Sequence, residues 1–270
     1  MKCYLCLQGE IREIGHIIPK FAFKWLKESS PTGFFRGTSN PNKREQDGWK
    51  QFLLCPRCED RLSSWENIFA KRVFHRVHRG RLYDLKFDYD DWLLKFAVSL
   101  SWRALLYWHL REGIDDLPFG HGRIAKEALE TWRRYLNEET VDIHPYQQHL
   151  LIFGDTVSTK GIANTRDLHN LVARGIEFNT IHSSSEAYIF TKICRILVAG
   201  TIIDSNPSQW AGTLIEKSGF FGGQSVQVSS CVFTFMETEV KELQDGRGRI
   251  SPRQNTVIDE AVRDNFNGGN

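Results

Sequence analysis

Four cysteines near the N-terminus have the spacing of a metal-binding site. They form two Cys-x-x-Cys pairs, Cys3 with Cys6 and Cys55 with Cys58. Each pair can chelate from one tight turn, and the two turns can close around a single tetrahedral Zn²⁺. Gly9 favours this arrangement, because a residue without Cβ just after Cys6 lets the backbone turn its N–H groups toward sulfur.

The two pairs could instead be redox-active dithiols or disulfides. A thioredoxin-like site, however, uses one pair beside a βαβ unit, and the sequence indicates no such unit around either pair. We therefore predict one shared structural zinc ion. The two other cysteines, Cys194 and Cys231, lie singly in apolar stretches, and we interpret them as small buried residues.

A histidine between the two pairs extends the pattern. His16 is followed by Ile17, Ile18 and Pro19, and an apolar run leads into the second pair. Over residues 1–70 this order resembles the zinc-containing HNH endonucleases, whose fold is the ββα-metal or treble-clef fold. The resemblance implies that His16 ends the first strand of a hairpin and acts as general base, and that the four cysteines hold structural zinc.

The same resemblance implies a function. Proteins of this family hydrolyse nucleic acid phosphodiesters with a hard divalent ion, here Mg²⁺ or Mn²⁺, and bacterial examples often serve in restriction, phage defence or mobile elements. We therefore predict an HNH-type nuclease. The resemblance implies nothing about the remaining three quarters of the chain.

The chain departs from that family where the divalent ion would bind. The position before the base is usually acidic or a second His and is here Gly15, while Lys50 or Gln51 replaces the usual Asn before the second pair. Because Mg²⁺ needs oxygen ligands and keeps several waters, a carboxylate would have to replace the missing ligand. We take Glu59 as this second catalytic residue, from three candidates: Glu13, Glu59 and Asp60.

Each of these residues also has an ordinary structural interpretation. Glu59 and Asp60 lie where a helix should begin, and carboxylates in a first turn are stabilised by the helix dipole whether or not they bind an ion. His16 could be a turn residue, and Glu13 a solvated strand residue. The chain would then be a non-catalytic module with a degenerate HNH site, which binds nucleic acid or protein and retains the zinc.

Positive charge is concentrated in the part of the chain that carries the cysteines. Residues 1–84 hold 16 Lys and Arg against 9 Asp and Glu, whereas residues 85–270 hold 19 against 24. On a helix Arg72, Arg76 and Arg79 would fall on one face, which suits the phosphates of a nucleic acid. They could equally form a solvated helix end, where cations interact favourably with the dipole. We predict that they bind nucleic acid, with DNA favoured over RNA.

A long irregular loop is expected between the two pairs. Residues 29–49 contain five Pro or Gly residues together with Arg36, Lys43 and Arg44, so the loop could contact a nucleic-acid backbone. The neighbouring rings of Phe34 and Phe35 could stack on unpaired bases or, as is commoner, pin the loop to the core.

The elements expected around these residues define an α+β chain with two parts. Residues 1–84 form the zinc module with its basic helix. In residues 85–270 we predict two helices, Trp92 to Trp108 behind an acidic cap and Arg123 to Glu138. From about residue 148 the pattern favours an antiparallel sheet. Its expected strands are His149 to Phe153, Ala187 to Ile193, Ile196 to Ile203, Trp210 to Ile215 and Ser225 to Phe235.

Three details complete the expected C-terminal part. The last strand should contain a bulge near Ser229, Gly219 to Gly223 should form a hairpin loop, and a helix should follow from about Thr256 to Val262. This part could also carry a protein-partner or homo-oligomer interface, or bind a ligand that controls the zinc module.

Composition and missing motifs exclude other classes. A 270-residue chain with 41% hydrophobic residues can bury a sizeable core. It has no run of eighteen apolar residues, and charges at Glu10, Arg12 and Glu13 interrupt any signal-peptide core. Together with zinc-type thiols, this predicts a cytoplasmic protein without a membrane partner. The sequence contains no phosphate-binding Gly-Lys loop, nucleophile elbow or internal repeat.

Overall fold

Two short antiparallel strands, with a helix and the irregular loop between them, precede a long helix in the N-terminal part, and we refer to this strand pair as the hairpin. The computed structural model describes residues 1–80, 85–154, 165–223 and 225–267, apart from the side chains of 165 and 265–267. Strand β1 pairs antiparallel with β2, and the helix that follows continues through a π-helical segment into a short third helix. The elements are β1 (Gly15–His16), α1 (Lys20–Glu28), β2 (Lys50–Gln51), α2 (Pro56–Phe69), the π-helical segment (Ala70–Phe74) and α3 (His75–Arg79).

A central helix, α4, separates the N-terminal part from the sheet. Asp90 caps it by accepting a hydrogen bond from the Trp92 backbone amide at 3.3 Å. Its 21 residues are buried around most of the circumference, as the predicted capped helix required. A short strand precedes α4 in the chain and another helix follows it. The elements are β3 (Phe87–Tyr89), α4 (Asp91–Arg111) and α5 (Gly122–Leu136).

The C-terminal part contains a four-stranded antiparallel sheet with the strand order β4-β7-β6-β5. Helix α4 packs on one face of this sheet, and α6 and α7 enclose the second apolar cluster on the other face. A separate short pair joins β8 to β3. The elements are β4 (Gln148–Ile152), α6 (Thr165–Arg174), β5 (Ile176–His182), β6 (Glu186–Ile193), β7 (Ile196–Asp204), β8 (Gly219–Phe221), α7 (Ser230–Gly248) and α8 (Pro252–Asn267).

The main apolar core is continuous between the two parts. Buried residues of the hairpin and α2, such as Ile17 and Phe69, belong to the same cluster as α4 and one face of the sheet. The rings of Phe69 and Phe96 stack at 3.8 Å between centroids, which ties α2 directly to α4. The N-terminal part is therefore packed against the remainder of the chain over a shared core.

The predicted strand from Ser225 to Phe235 is wrong, and so is its bulge near Ser229. Helix α7 begins there instead, because the Ser229 hydroxyl caps it by accepting from the Cys231 amide at 3.1 Å. The apolar residues that α7 buries, Val232, Phe235 and Met236, have helical spacing. The alternation that suggested a strand depended on Phe233, which is 46% exposed.

Other C-terminal elements differ from the sequence prediction in smaller ways. Trp210 to Ile215 forms only isolated bridges, Ala211 with Gln227 and His149 with Leu214. Gly219–Phe221 is a strand rather than a hairpin loop, because it pairs with β3. Helix α6 and strand β5 are additional, and the C-terminal helix is longer than expected.

Among the described residues, no helix combines the length and apolar character needed to cross a membrane. The boundary expected at residue 84 lies outside the described residues.

Candidate functional site

Four cysteine sulfurs form a compact cluster at the N-terminal end of α2. The Sγ atoms of Cys3, Cys6, Cys55 and Cys58 all lie within 4.8 Å of one another, and all four residues are buried. Cys6 and Cys55 Sγ are 3.8 Å apart. A tetrahedron of thiolates about 2.3 Å from Zn²⁺ has edges of about 3.8 Å, so the cluster has the dimensions of a structural zinc site.

Local backbone geometry forms this cluster from the two sequence pairs. In the first turn Leu7 has a φ of 60°, which folds the chain back so that the Gly9 amide donates to Cys6 Sγ at 3.3 Å. A Cβ at Gly9 would lie 2.6 Å from Cys55 Sγ, so a glycine is required there. The second pair is held at the start of α2, where the Cys58 amide donates to the Cys55 carbonyl at 3.0 Å.

The thiols compete for protons inside this small volume. A hydrogen bond from Cys58 lowers the pKa of the Cys3 thiol to about 4, and the same hydrogen bond raises the pKa of Cys58. A bound cation would replace the shared proton with four thiolate contacts. The cluster is compatible with the structural zinc that the sequence predicts.

His16 ends strand β1, next to the cysteine cluster, and its ring is paired with a carboxylate. The Nε2 atom lies 2.5 Å from Asp47 Oδ1, and Lys50 forms an ion pair with the second carboxylate oxygen. Burial raises the pKa of Asp47, but hydrogen bonds from Lys50 and His16 outweigh it and lower that pKa to about 2. An ionised Asp47 keeps the ring proton on Nε2, which leaves Nδ1 as the basic nitrogen. Among the described residues, Nδ1 has no hydrogen-bond partner.

Glu59 lies in the first turn of α2 with its carboxylate against Gly15. An added Cβ at Gly15 would overlap Glu59 Oε1 and would lie 3.2 Å from the carboxyl carbon. The carboxylate therefore takes the space that a side chain at position 15 would need. Burial raises the pKa of Glu59, whereas the nearby charge of Arg103 lowers it.

Arg103, from the middle of α4, connects these groups. Its side chain is 3% exposed, and it donates to the His16 carbonyl at 3.1 Å and forms an ion pair with Glu66 at 2.7 Å. Glu66 lies two turns after Glu59 on α2, so Arg103 joins the hairpin to the helix that carries both carboxylates. We refer to His16, Asp47, Glu59, Glu66 and Arg103 as the His16 site.

Sequence reasoning identified two members of the His16 site and missed three. A signal for Arg103 was available, because an arginine inside an apolar helix must find a buried partner. No nearby sequence pattern indicated that Asp47 contacts His16, because Asp47 lies in the irregular loop 31 residues after it. The other carboxylate candidates, Glu13 and Asp60, are exposed.

The described residues contain no second group of three or more His, Cys, Asp or Glu close enough to hold a metal ion. Lys50, one of the two residues expected in place of the usual Asn, forms an ion pair with Asp47. A Mg²⁺ or Mn²⁺ site on Glu59 therefore remains a prediction.

The three arginines predicted to bind nucleic acid lie on α3 and the π-helical segment before it, and all are exposed. Arg72 donates to the Asp88 carbonyl at 2.7 Å and lies over the Trp92 ring, and Arg76 donates to the Lys86 carbonyl at 3.3 Å. None of the three arginines forms an ion pair with a described residue. Their positive charge is thus uncompensated, although two of them also attach the helix to residues 86–88.

Comparison of the chain with family models, with curated proteins and with solved structures gave no significant match.

Proposed function

We propose that the chain is a metal-dependent nuclease of the HNH type, built on a treble-clef or ββα-metal module that a structural zinc ion holds together. The observation that carries the proposal is the position of the Glu59 carboxylate in the side-chain space of Gly15, directly before His16. In the family that the sequence resembles, a metal ligand usually stands at that position. Glu59 supplies a carboxylate to the same place from the neighbouring helix.

His16 has the environment that a general base needs. Asp47 fixes the tautomer by accepting the Nε2 proton, so Nδ1 can take a proton from an attacking water. The imidazolium that forms is stabilised by the ionised carboxylate, which Lys50 holds from its other side. Proton transfer of this kind typically contributes about 10² to 10⁴-fold in rate.

Glu59 would hold the divalent ion, together with phosphate oxygens of the substrate. One or two carboxylates are the usual protein share of a Mg²⁺ site, and Glu66 lies on the same face of α2. When bound, such an ion polarises the phosphoryl group and stabilises the leaving oxygen. The exposed Arg72, Arg76 and Arg79 would contact the nucleic-acid backbone.

Single substitutions in the His16 site test this proposal. Supercoiled DNA, single-stranded DNA and RNA are incubated with the zinc-loaded protein and Mg²⁺ or Mn²⁺. His16→Ala should lower cleavage by about 100-fold or more, and Asp47→Asn should lower it as well, with zinc content and folding unchanged. Asp60→Asn is a matched control for Glu59→Gln, because Asp60 is the exposed neighbour on the same helix. Only Glu59→Gln should impair cleavage, and excess divalent ion should partly restore it.

A non-catalytic binding module is the second candidate, and the ion pairs of the site favour it, because Arg103 neutralises Glu66 and Lys50 neutralises Asp47. If wild-type protein cleaves none of these substrates with either ion, the nuclease is excluded. The Asp47 and Arg103 contacts of His16 would then only hold the hairpin against the rest of the fold.

A further inference from the structure

A large cavity lies between the irregular loop and the C-terminal part. Its volume is about 790 Å³, and residues of the loop, α1, α6, β5 and α7 line it. Pockets of 300–1,000 Å³ are typical for small-molecule and cofactor ligands. The cavity is separate from the cysteine cluster, but it meets the His16 site at Asp47, which lines it.

One side of the cavity carries cations that have no acidic partner. Arg36, Lys43 and Arg44 come from the loop, and none forms an ion pair with a described residue. Arg36 instead donates to the Pro41 carbonyl and the Gln254 amide oxygen, at 3.1 and 2.9 Å. Burial and the charge of Arg44 both lower the pKa of Arg36. An anion bound between these side chains would relieve that repulsion.

The opposite side carries two carboxyl groups that form no ion pair with a described residue, although the buried Lys192 lies near enough to act on both electrostatically. Glu239 of α7 is 4% exposed, and only Oε1 is satisfied, by the Asn179 amide at 3.3 Å. Its second oxygen accepts no hydrogen bond from the described residues, and Glu177 of β5 lies beside it on the cavity wall. Burial raises the pKa of Glu239 to about 7, and burial also raises the pKa of Glu177 well above its ordinary value. A ligand with hydrogen-bond donors would satisfy these groups.

Aromatic rings line the wall between the two sides. Phe35 packs on Phe23 with ring centroids 5.3 Å apart, which pins the loop to the core, and Trp49 packs on Phe178 at the same distance. Phe34 lies under the Arg44 guanidinium at 5.0 Å. The cavity thus joins a cationic end, flat apolar surfaces and a hydrogen-bond-accepting end.

We propose that this cavity binds a nucleotide, with its phosphate on Arg36, Lys43 and Arg44 and the donor edge of its base on Glu239 and Glu177. A simple anion would leave the carboxyl groups unsatisfied, and a simple cation would leave Arg36, Lys43 and Arg44 without an ionic partner although the loop also places Glu45 and Asp47 on the cavity wall. A nucleotide has both features, and its base suits the aromatic wall. The nucleotide could be a free one or one residue of a strand. The inference goes beyond the nuclease, since binding requires neither His16 nor cleavage.

Calorimetric titration of the zinc-loaded 270-residue chain tests the site. The probes are the four ribonucleoside monophosphates, inorganic phosphate, unphosphorylated nucleosides and single-stranded hexanucleotides, in buffer without divalent ions. We expect saturable binding of at least one monophosphate or hexanucleotide, about tenfold tighter than phosphate or the nucleoside alone. Saturation by a monophosphate identifies a free nucleotide as ligand, and saturation by hexanucleotides alone identifies a residue of a strand.

Variants on each side of the cavity decide whether binding occurs there. The double variant Lys43→Ala with Arg44→Ala should weaken binding about tenfold. It should also reduce the slope of log affinity against log salt concentration by about two, the equivalent of two lost phosphate contacts. Glu239→Gln should change the ranking of bases, because the amide keeps one acceptor oxygen and places an NH₂ donor where the second carboxyl oxygen was. The charge-matched pair Arg123→Ala and Lys126→Ala on α5 should leave binding unchanged, since it lies outside the cavity.

Three results would overturn the site. They are no saturable binding of any nucleotide probe, equal effects of the loop pair and the α5 pair, or an unchanged base ranking in a Glu239→Gln variant with a wild-type circular dichroism spectrum. Glu177→Gln provides the same test should Glu239→Gln fail to fold.

Discussion

Four buried sulfur atoms surround one point at the cysteine cluster, whereas the polar groups of the His16 site beside it are spread over a hairpin, a loop and two helices. The sulfurs come from two turns, and each turn is held by its own backbone hydrogen bonds. The His16 site depends on Arg103, which reaches it from α4. The cysteine cluster is buried and brings together two locally formed turns, whereas the His16 site is partly exposed and its side chains come from separate parts of the fold. This difference is what the structural zinc and the substrate site that we propose would require, respectively.

Removing a zinc ligand should produce the largest effect. Structural zinc contributes folding free energy on the order of 10 kcal/mol, so Cys58→Ser should lose zinc and unfold the hairpin and α2. Cys231→Ala, a buried cysteine outside the cluster, should retain zinc and lose about 1 kcal/mol. Metal analysis and thermal unfolding measure both. A zinc-free wild-type protein with normal unfolding would show that the cluster is not a metal centre.

Removing Arg103 should have the next largest effect, because it breaks the link between the hairpin and α4. Arg103→Met leaves Glu66 without its partner and the His16 carbonyl without a donor, so about 3–5 kcal/mol of stability should be lost. Adding Glu66→Gln should recover part of that loss. Arg134→Met, at a residue 53% exposed, should change stability by less than about 1 kcal/mol. If urea unfolding showed equal effects for the two arginines, the polar site would not depend on α4.

Alanine substitution at Gly9 and at Gly15 should affect the cysteine cluster and the His16 site differently. At Gly9 an added methyl would press on Cys55 sulfur, so Gly9→Ala should weaken zinc binding by about 10 to 100-fold. At Gly15 an added methyl would contact only the carboxyl end of the flexible Glu59 side chain. Gly15→Ala should therefore retain the zinc and lower the free energy of unfolding by less than about 1 kcal/mol. Competition with a chelator measures zinc affinity. Similar losses at both positions would contradict the separation.

The four cysteines were predictable because the two ligands of each turn lie only three residues apart in the sequence. Helix α4 was predictable for a similar reason, since its cap and its apolar run are contiguous. Asp47 and Arg103 were not, because their contacts with His16 span 31 and 87 residues and depend on the packing of the whole chain. Helix α7 was mistaken for a strand because alternating aromatic residues outweighed a single serine cap in the sequence pattern.

The most direct test of the nuclease proposal moves the carboxylate from α2 to the hairpin. Gly15 does not have a positive φ, so other residues fit its backbone once Glu59 is shortened. Glu59→Ala should lower Mn²⁺-dependent cleavage by about 100-fold. The double variant Gly15→Asp with Glu59→Ala should recover at least tenfold of that loss, with unchanged zinc content. A double variant no more active than Glu59→Ala, or a Glu59→Ala variant as active as wild type, would contradict the role of this carboxylate.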